Sequence, residues 1–94
     1  MKITKWADLI GAQINIYYAP NSSKKQPWTA HINYGELRDV KEETKLYPAS
    51  ADGSTPNEAL ANLVDEIRSR NIIVRYYGSR KSVVEFIVPD DLEA

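Results

Sequence analysis

The chain has 94 residues with 12 basic and 13 acidic side chains, 43% hydrophobic residues and no cysteine. This length suits one domain around one core, and the composition is that of a folded protein rather than a disordered or membrane-spanning one. The net charge of −1 excludes a polycation built to coat DNA. The missing cysteines exclude disulfides, thiolate metal sites and a cysteine nucleophile. No segment suits a signal peptide or a membrane span, so we expect a cytoplasmic protein without membrane association.

A short amphipathic segment opens the chain. Residues 4–11 can form two helical turns, with Thr4 as the N-cap and Gly11 as the residue that ends the helix. Because two turns are marginally stable alone, we expect this helix to dock on the rest of the domain through Trp6 and Leu9.

Two alternating segments follow the helix. Residues 13–19 and 28–34 alternate between two sets of side chains and are rich in β-branched and aromatic types, which predicts two strands. A polar loop with proline at both ends, residues 20–27, joins them, so the simplest arrangement is an antiparallel pair. The side chains predicted to share one face are Ile14, Ile16 and Tyr18 in the first strand and Trp28, Ala30, Ile32 and Tyr34 in the second.

The middle of the chain is harder to assign. Residues 35–45 are charged and suit either a wide turn or an irregular extension of the second strand. Residues 44–51 favour a third strand, which Pro48 restricts to an edge or a bulged end because proline cannot donate to a ladder. We expect Asp52 and Gly53 to turn the chain after it.

The main helix has the clearest local signature. Thr55 is predicted as the N-cap, Pro56 as the first helical residue and Glu58 as the partner in a capping box. An i,i+4 pair of Glu66 with Arg70 follows near the other end, and Asn71 is expected to end the helix in left-handed geometry. The apolar stripe predicted to cover the sheet consists of Ala59, Leu60, Leu63, Val64 and Ile67.

The chain closes with two β-rich segments. Residues 72–77 and 83–88 are separated by five polar or turn-forming residues, 78–82, which predicts a hairpin. The predicted order is therefore α–β–β–β–α–β–β in one domain, residues 1–94. The fold class is α+β, with two layers: a mostly antiparallel sheet and one main helix on one of its faces.

A resemblance covers residues 13–92. Three strands followed by residues 51–63, with Gly53 and the run from Thr55 to Leu60 at the helix start, resemble HicB-type antitoxin domains, in which a Gly-x-Thr-x-x-Glu-Ala-Leu run opens the helix. The chain is more similar to small uncharacterised phage proteins of Gram-positive bacteria, which share a Thr-Pro-x-Glu-Ala-Leu start and a closing hairpin that ends in Val-Pro and acidic residues. The resemblance implies the same fold and a phage or mobile-element origin. It transfers no catalytic or binding residue.

The sequence contains few residues in patterns typical of catalytic or metal-binding sites. His31 is the only imidazole, and no recognised spacing connects it to Ser50 or Asp52, so we expect no enzymatic activity. The adjacent acidic pairs, Glu42 with Glu43 and Asp90 with Asp91, lack the spacing of a calcium loop. We expect neither a metal nor a cofactor.

Basic and aromatic residues lie close together near the end of the chain. Such residues can hold a single-stranded nucleic-acid backbone and stack its bases, although the arginines at the helix end also suit the helix dipole. One tyrosine of the Tyr76–Tyr77 pair must face the core. The basic residues are Arg68, Arg70, Arg75, Arg80 and Lys81.

The second face of the sheet is the other candidate surface. One main helix cannot cover both faces of five strands, so the face that carries Tyr17 is either open to another chain or covered by the short helix through Trp6 and Leu9. A homodimer is one such arrangement. The residues predicted to contact a protein or nucleic-acid partner are Tyr17, Arg75, Tyr76, Tyr77, Arg80 and Lys81.

Three functions are consistent with these features. The preferred one is a non-enzymatic phage or mobile-element protein that binds and inhibits a host protein complex, for example an anti-CRISPR protein. The first alternative is a nucleic-acid-binding accessory factor of phage replication or regulation that uses Arg75, Arg80, Lys81 and a neighbouring tyrosine. The second is a HicB-like antitoxin module that masks a toxin.

Overall fold

Two helices and five strands follow one another in the predicted order, in a computed structural model that describes residues 1–20, 24–39, 41–42, 44–77 and 82–94. The predicted two-layer α+β class is confirmed. In chain order the elements are α1 (Ile3–Ile10), β1 (Ile14–Tyr18), β2 (Trp28–Arg38), β3 (Leu46–Gly53), α2 (Pro56–Ile67), β4 (Asn71–Tyr76) and β5 (Ser82–Ile87).

The long strand β2 organises the sheet. Its first half pairs with β1, its second half with β4, and both halves with β3, always antiparallel. Because β3 pairs along one edge of β2 in both halves, β1 and β4 pair with the other edge: β1 with the first half and β4 with the second. The hairpin of β4 and β5 completes the sheet as predicted. Pro48 lies in β3, which pairs only with β2 among the described residues, so its predicted edge position is confirmed.

A bulge divides β2 into its two halves. The pairing with β3 shifts register between His31 and Glu36, and Tyr34 adopts a left-handed φ of 57° that few bulky residues tolerate. At the next position, a Cβ on Gly35 would lie 2.9 Å from the Cβ of Ile32. The bulge lets β2 continue to Arg38. Of the two arrangements that the sequence left open for residues 35–45, the strand extension is therefore present over residues 35–38.

The start of α2 has the predicted N-cap and first helical residue, but Glu58 bonds to Ser54 instead of closing the predicted capping box with the Thr55 amide. Thr55 Oγ1 accepts a hydrogen bond from the backbone N–H of Glu58 at 3.0 Å, and Pro56 is the first helical residue. The Glu58 carboxylate accepts from the N–H and hydroxyl of Ser54, one residue before the N-cap, and these bonds hold the pKa of Glu58 below its usual value. The predicted stripe packs on the sheet, mainly on β3 and β2. Its buried members are Ala59, Leu63, Val64 and Ile67.

Thr55→Ala is expected to destabilise the protein by about 1 kcal/mol, because it leaves the amide of Glu58 without its capping acceptor. Urea unfolding measures the loss. Thr55→Ser is the matched control, since it keeps the hydroxyl and is expected to retain the wild-type midpoint within experimental error. Equal midpoints for the alanine and serine variants would contradict the capping role.

The turn predicted at Asp52 and Gly53 and the helix end predicted at Asn71 are both wrong. Gly53 ends β3 instead of forming a turn, and it is required there because α2 approaches its backbone. The helix end lies earlier than predicted: Ser69 adopts the left-handed φ of 63°, whereas Asn71 begins β4. The predicted pair of Arg70 with Glu66 is present at 3.3 Å.

The short helix α1 docks through Trp6, as predicted, but not through Leu9. Leu9 is 68% exposed, whereas Ile3 and Trp6 belong to the core cluster that contains the α2 stripe. The predicted Thr4 cap is also wrong, because α1 already begins at Ile3, whose N–H donates to the Glu93 carbonyl at 2.7 Å. Gly11 ends the helix with a φ of 69°, as predicted. The helix therefore lies on the same side of the sheet as α2.

No helix in the described ranges has the length and apolar content needed to cross a bilayer.

Candidate functional site

Half of the sheet's side chains point away from both helices, and we call this surface the open face. Neither helix covers it, since both pack on the opposite side, and its residues Tyr17, Val83 and Ile87 are 46%, 59% and 77% exposed. The uncovered arrangement, which the sequence left as one of two, is therefore present. Its members are Asn15, Tyr17, Thr29, His31, Glu36, Arg38, Leu46, Pro48, Ser50, Asp52, Asn71, Ile73, Arg75, Val83, Glu85 and Ile87.

The bulge of β2 creates a depression in this face, which we call the β2 concavity. It measures about 580 Å³ and opens where β1 and β4 meet β2 from the same edge. Its lining consists of Tyr17, His31, Ile32, Tyr34, Gly35, Glu36, Pro48, Ser50 and Arg75. The concavity therefore draws on four of the five strands.

One ion pair lies in the β2 concavity. Arg75 Nε donates to Glu36 Oε1 at 3.0 Å, and the two side chains are 39% and 30% exposed. One hydrogen bond joins the two side chains. Within the described residues, neither the terminal nitrogens of Arg75 nor the second oxygen of Glu36 has a hydrogen-bond partner. Both charged groups therefore keep unused hydrogen-bonding positions.

Aromatic rings border the concavity on two sides. Tyr17 packs edge-on against His31, with ring centroids 5.5 Å apart. Tyr34 packs against Tyr77 at 4.5 Å, next to the entrance. Tyr77 is 61% exposed, whereas Tyr76 lies on the core side and donates its hydroxyl to the Ile10 carbonyl. One tyrosine of the pair faces the core, as predicted, and the ring of Tyr77 is exposed.

His31 has no arrangement for acid–base chemistry among the described residues. Its Nε2 lies 3.3 Å from the amide nitrogen of Asn15, and no carboxylate is bonded to the ring. Ser50 is its cross-strand neighbour, but Asp52 accepts a hydrogen bond from the Thr29 hydroxyl at 2.7 Å. No three His, Asp or Glu side chains within the described ranges could hold a metal ion together. Glu43, named with Glu42 in the sequence, lies outside those ranges.

The described members of the predicted basic cluster are dispersed and paired. Arg68 bonds to the Leu92 carbonyl and Asp65, and Arg70 to Glu66, the Arg38 carbonyl and the Tyr47 hydroxyl. These two arginines lie at the helix end, and Arg75 alone of the described basic residues in the cluster belongs to the open face. Arg80 and Lys81 lie outside the described residues.

A second ion pair on the open face joins β2 to β5. Arg38 bonds to Glu85 at 3.1 Å, and Asn71 donates to the same carboxylate at 2.8 Å. These hydrogen bonds hold the pKa of Glu85 below its usual value. Glu85 does not line the β2 concavity.

Comparisons of the chain with protein-family models, with curated proteins and with solved structures gave no significant match.

Proposed function

We propose that this protein is a non-enzymatic binding protein that docks onto another protein through its open face. The observation that carries the proposal is an uncovered sheet surface that contains a concavity lined by Tyr17 and on which Tyr17, Val83 and Ile87 are strongly exposed. Exposed aromatic and aliphatic side chains around a depression are typical of interface centres.

The charges of the open face favour a protein over a nucleic acid. Arg75 and Arg38 are each paired with a glutamate of the same face, at 3.0 and 3.1 Å. Binding to a phosphate backbone depends on several unneutralised cations that converge on one surface. The paired arginines do not supply such a set, whereas a mixed apolar and balanced polar surface suits a protein partner.

The biological form of the proposal is inhibition of a host protein complex in the bacterial cytoplasm by a phage or mobile-element protein. The resemblance to small phage proteins supports this form. A small domain with one open sheet face can act by occupying a surface that the host complex needs, without any chemistry of its own.

Site-specific photocrosslinking tests the docking face. A benzophenone amino acid at position 17 is expected to give a discrete adduct in the host cell, because Tyr17 lies on the open face. The same amino acid at position 9 is the matched control, since Leu9 is more exposed than Tyr17, at 68% against 46%, but lies on the outer side of α1. Ile87→Lys is expected to abolish the adduct from position 17, since it places an unpaired charge in the interface.

The chemistry of the adduct decides between partners. An adduct destroyed by protease and resistant to nuclease supports the proposal, whereas one destroyed by nuclease supports the nucleic-acid alternative. Equal adducts from positions 9 and 17, or an adduct that Ile87→Lys leaves unchanged, would overturn docking through the open face.

A further inference from the structure

We propose that the β2 concavity is a binding site for a planar carboxamide group. This inference rests on the proposed function and names what the partner places there: the side-chain amide of an asparagine or glutamine. The group would lie against Arg75 and Glu36, accepting a hydrogen bond from the first and donating one to the second.

The hydrogen-bonding positions left open by the ion pair match this group. Arg75 uses its Nε for Glu36 and keeps both terminal nitrogens as donors, while Glu36 keeps one carboxylate oxygen as an acceptor within the described residues. A carboxamide carries one acceptor oxygen and one donor nitrogen in the same plane. It can therefore satisfy both partners at once with two charge-assisted hydrogen bonds.

The charge balance of the site disfavours an ionised ligand. Glu36 and Arg75 neutralise each other, at 3.0 Å, so a bound carboxylate would approach Glu36 and a bound ammonium would approach Arg75. Either ion would lose hydration without a net opposite charge to replace it. A neutral group with both a donor and an acceptor avoids this cost.

The walls suit a planar group carried on an apolar body. Tyr17 and Tyr34 border the depression with their rings, and Pro48 lines it from β3. Its volume of about 580 Å³ is several times the roughly 150 Å³ that accommodates benzene in a protein interior. A small aromatic amide therefore fits as a probe of the site.

Three probes of similar shape distinguish a neutral amide from an anionic and a cationic ligand. Benzamide has a donor and an acceptor, benzoate has acceptors only, and benzamidinium has donors only. Each is titrated into the full ¹⁵N-labelled chain at pH 7 and followed by amide chemical shifts. Benzamide is expected to shift the resonances of β2 and β4 around Glu36 and Arg75, and to bind at least about fivefold more tightly than either ion.

Two variants that each neutralise one member of the ion pair are expected to reverse this preference. Glu36→Gln leaves Arg75 unpaired, so benzoate becomes the tightest probe. Arg75→Gln leaves Glu36 unpaired, so benzamidinium becomes the tightest. Glu85→Gln is the matched control, since it breaks an ion pair of the same face outside the concavity and should leave the wild-type order unchanged.

The outcomes separate this inference from the proposed function. Benzamide that fails to shift the β2 and β4 resonances, or an ion that binds wild type as tightly as benzamide, overturns the carboxamide site even if Tyr17 still crosslinks to a partner. Benzamide bound at the concavity, with the predicted reversal in both variants, supports the site even if crosslinking shows that the partner docks elsewhere.

Discussion

Gly53→Ala is expected to destabilise the protein by about 3 kcal/mol or more, because the added methyl group has no room. A Cβ at this position would lie 2.3 Å from the backbone nitrogen of Ala59 and 2.7 Å from its Cα. These are main-chain atoms of the first turn of α2, which cannot rotate away as a side chain can. The whole helix must therefore move off β3, and its buried stripe moves with it. Urea unfolding followed by circular dichroism measures the loss.

Gly11→Ala is the informative comparison, because this glycine is needed for a different reason. A Cβ there meets only the ring of Tyr76 at 3.8 Å, an ordinary contact, but the residue has a φ of 69°. The cost is then the conformational one of about 1 kcal/mol. A loss at Gly11 equal to or larger than that at Gly53 would show that α2 does not lie as close to β3 as described.

Leu63→Ala is expected to cost about 2–5 kcal/mol, because Leu63 is fully buried between α2 and the sheet and its truncation leaves a cavity. If this variant is too unstable for a complete unfolding curve, Ile67→Val provides a smaller step of about 1 kcal/mol at the neighbouring turn of the same helix.

Leu9→Ala is the control for this prediction and tests the orientation of α1. Its side chain is 68% exposed, so the expected change is within about 0.5 kcal/mol. A loss at Leu9 comparable to that at Leu63 would place Leu9 in the core, as its spacing from Trp6 had suggested, and would contradict the orientation in which Ile3 and Trp6 are buried.

The features predicted correctly from the sequence depend on local chemistry. The capping of α2 needs only a hydroxyl at Thr55 and a proline at the first helical position, which are adjacent in the chain. The alternation of β1 likewise indicated that Tyr17 lies on the face opposite Ile14. Such signals do not depend on what the rest of the chain does.

The errors arise where distant segments decide the local structure. The contact of the α1 start with Glu93 brings Ile3 into the core, and a two-turn helix has too few residues for its pattern to exclude Leu9. The reversal after α2 depends on Ser69, an αL residue without the usual glycine or asparagine signature. The role of Gly53 is visible only once α2 is packed on β3.

The candidate site was predicted in part for the same reason. Tyr17 and Arg75 were named from the sequence, because strand alternation and local composition indicate them. Glu36, Tyr34 and Ser50 were not named as binding residues, since they reach the concavity only through the register shift of β2 and its pairing with β3. Glu36 lies 39 residues before Arg75 in the chain, so no local sequence pattern indicates that the two side chains form an ion pair.

The bulge in β2 has a consequence for how binding could diversify. The concavity opens beside the left-handed Tyr34, the crowded Gly35 and the register shift of β2. Pro48 and Ser50 line the concavity from β3, but they are also the β3 residues paired on either side of the register shift. Substitutions at Tyr17, which lies on β1 and outside the shifted pairing, can therefore change the lining while the bulge keeps its shape, so the chemistry of this surface can evolve separately from stability.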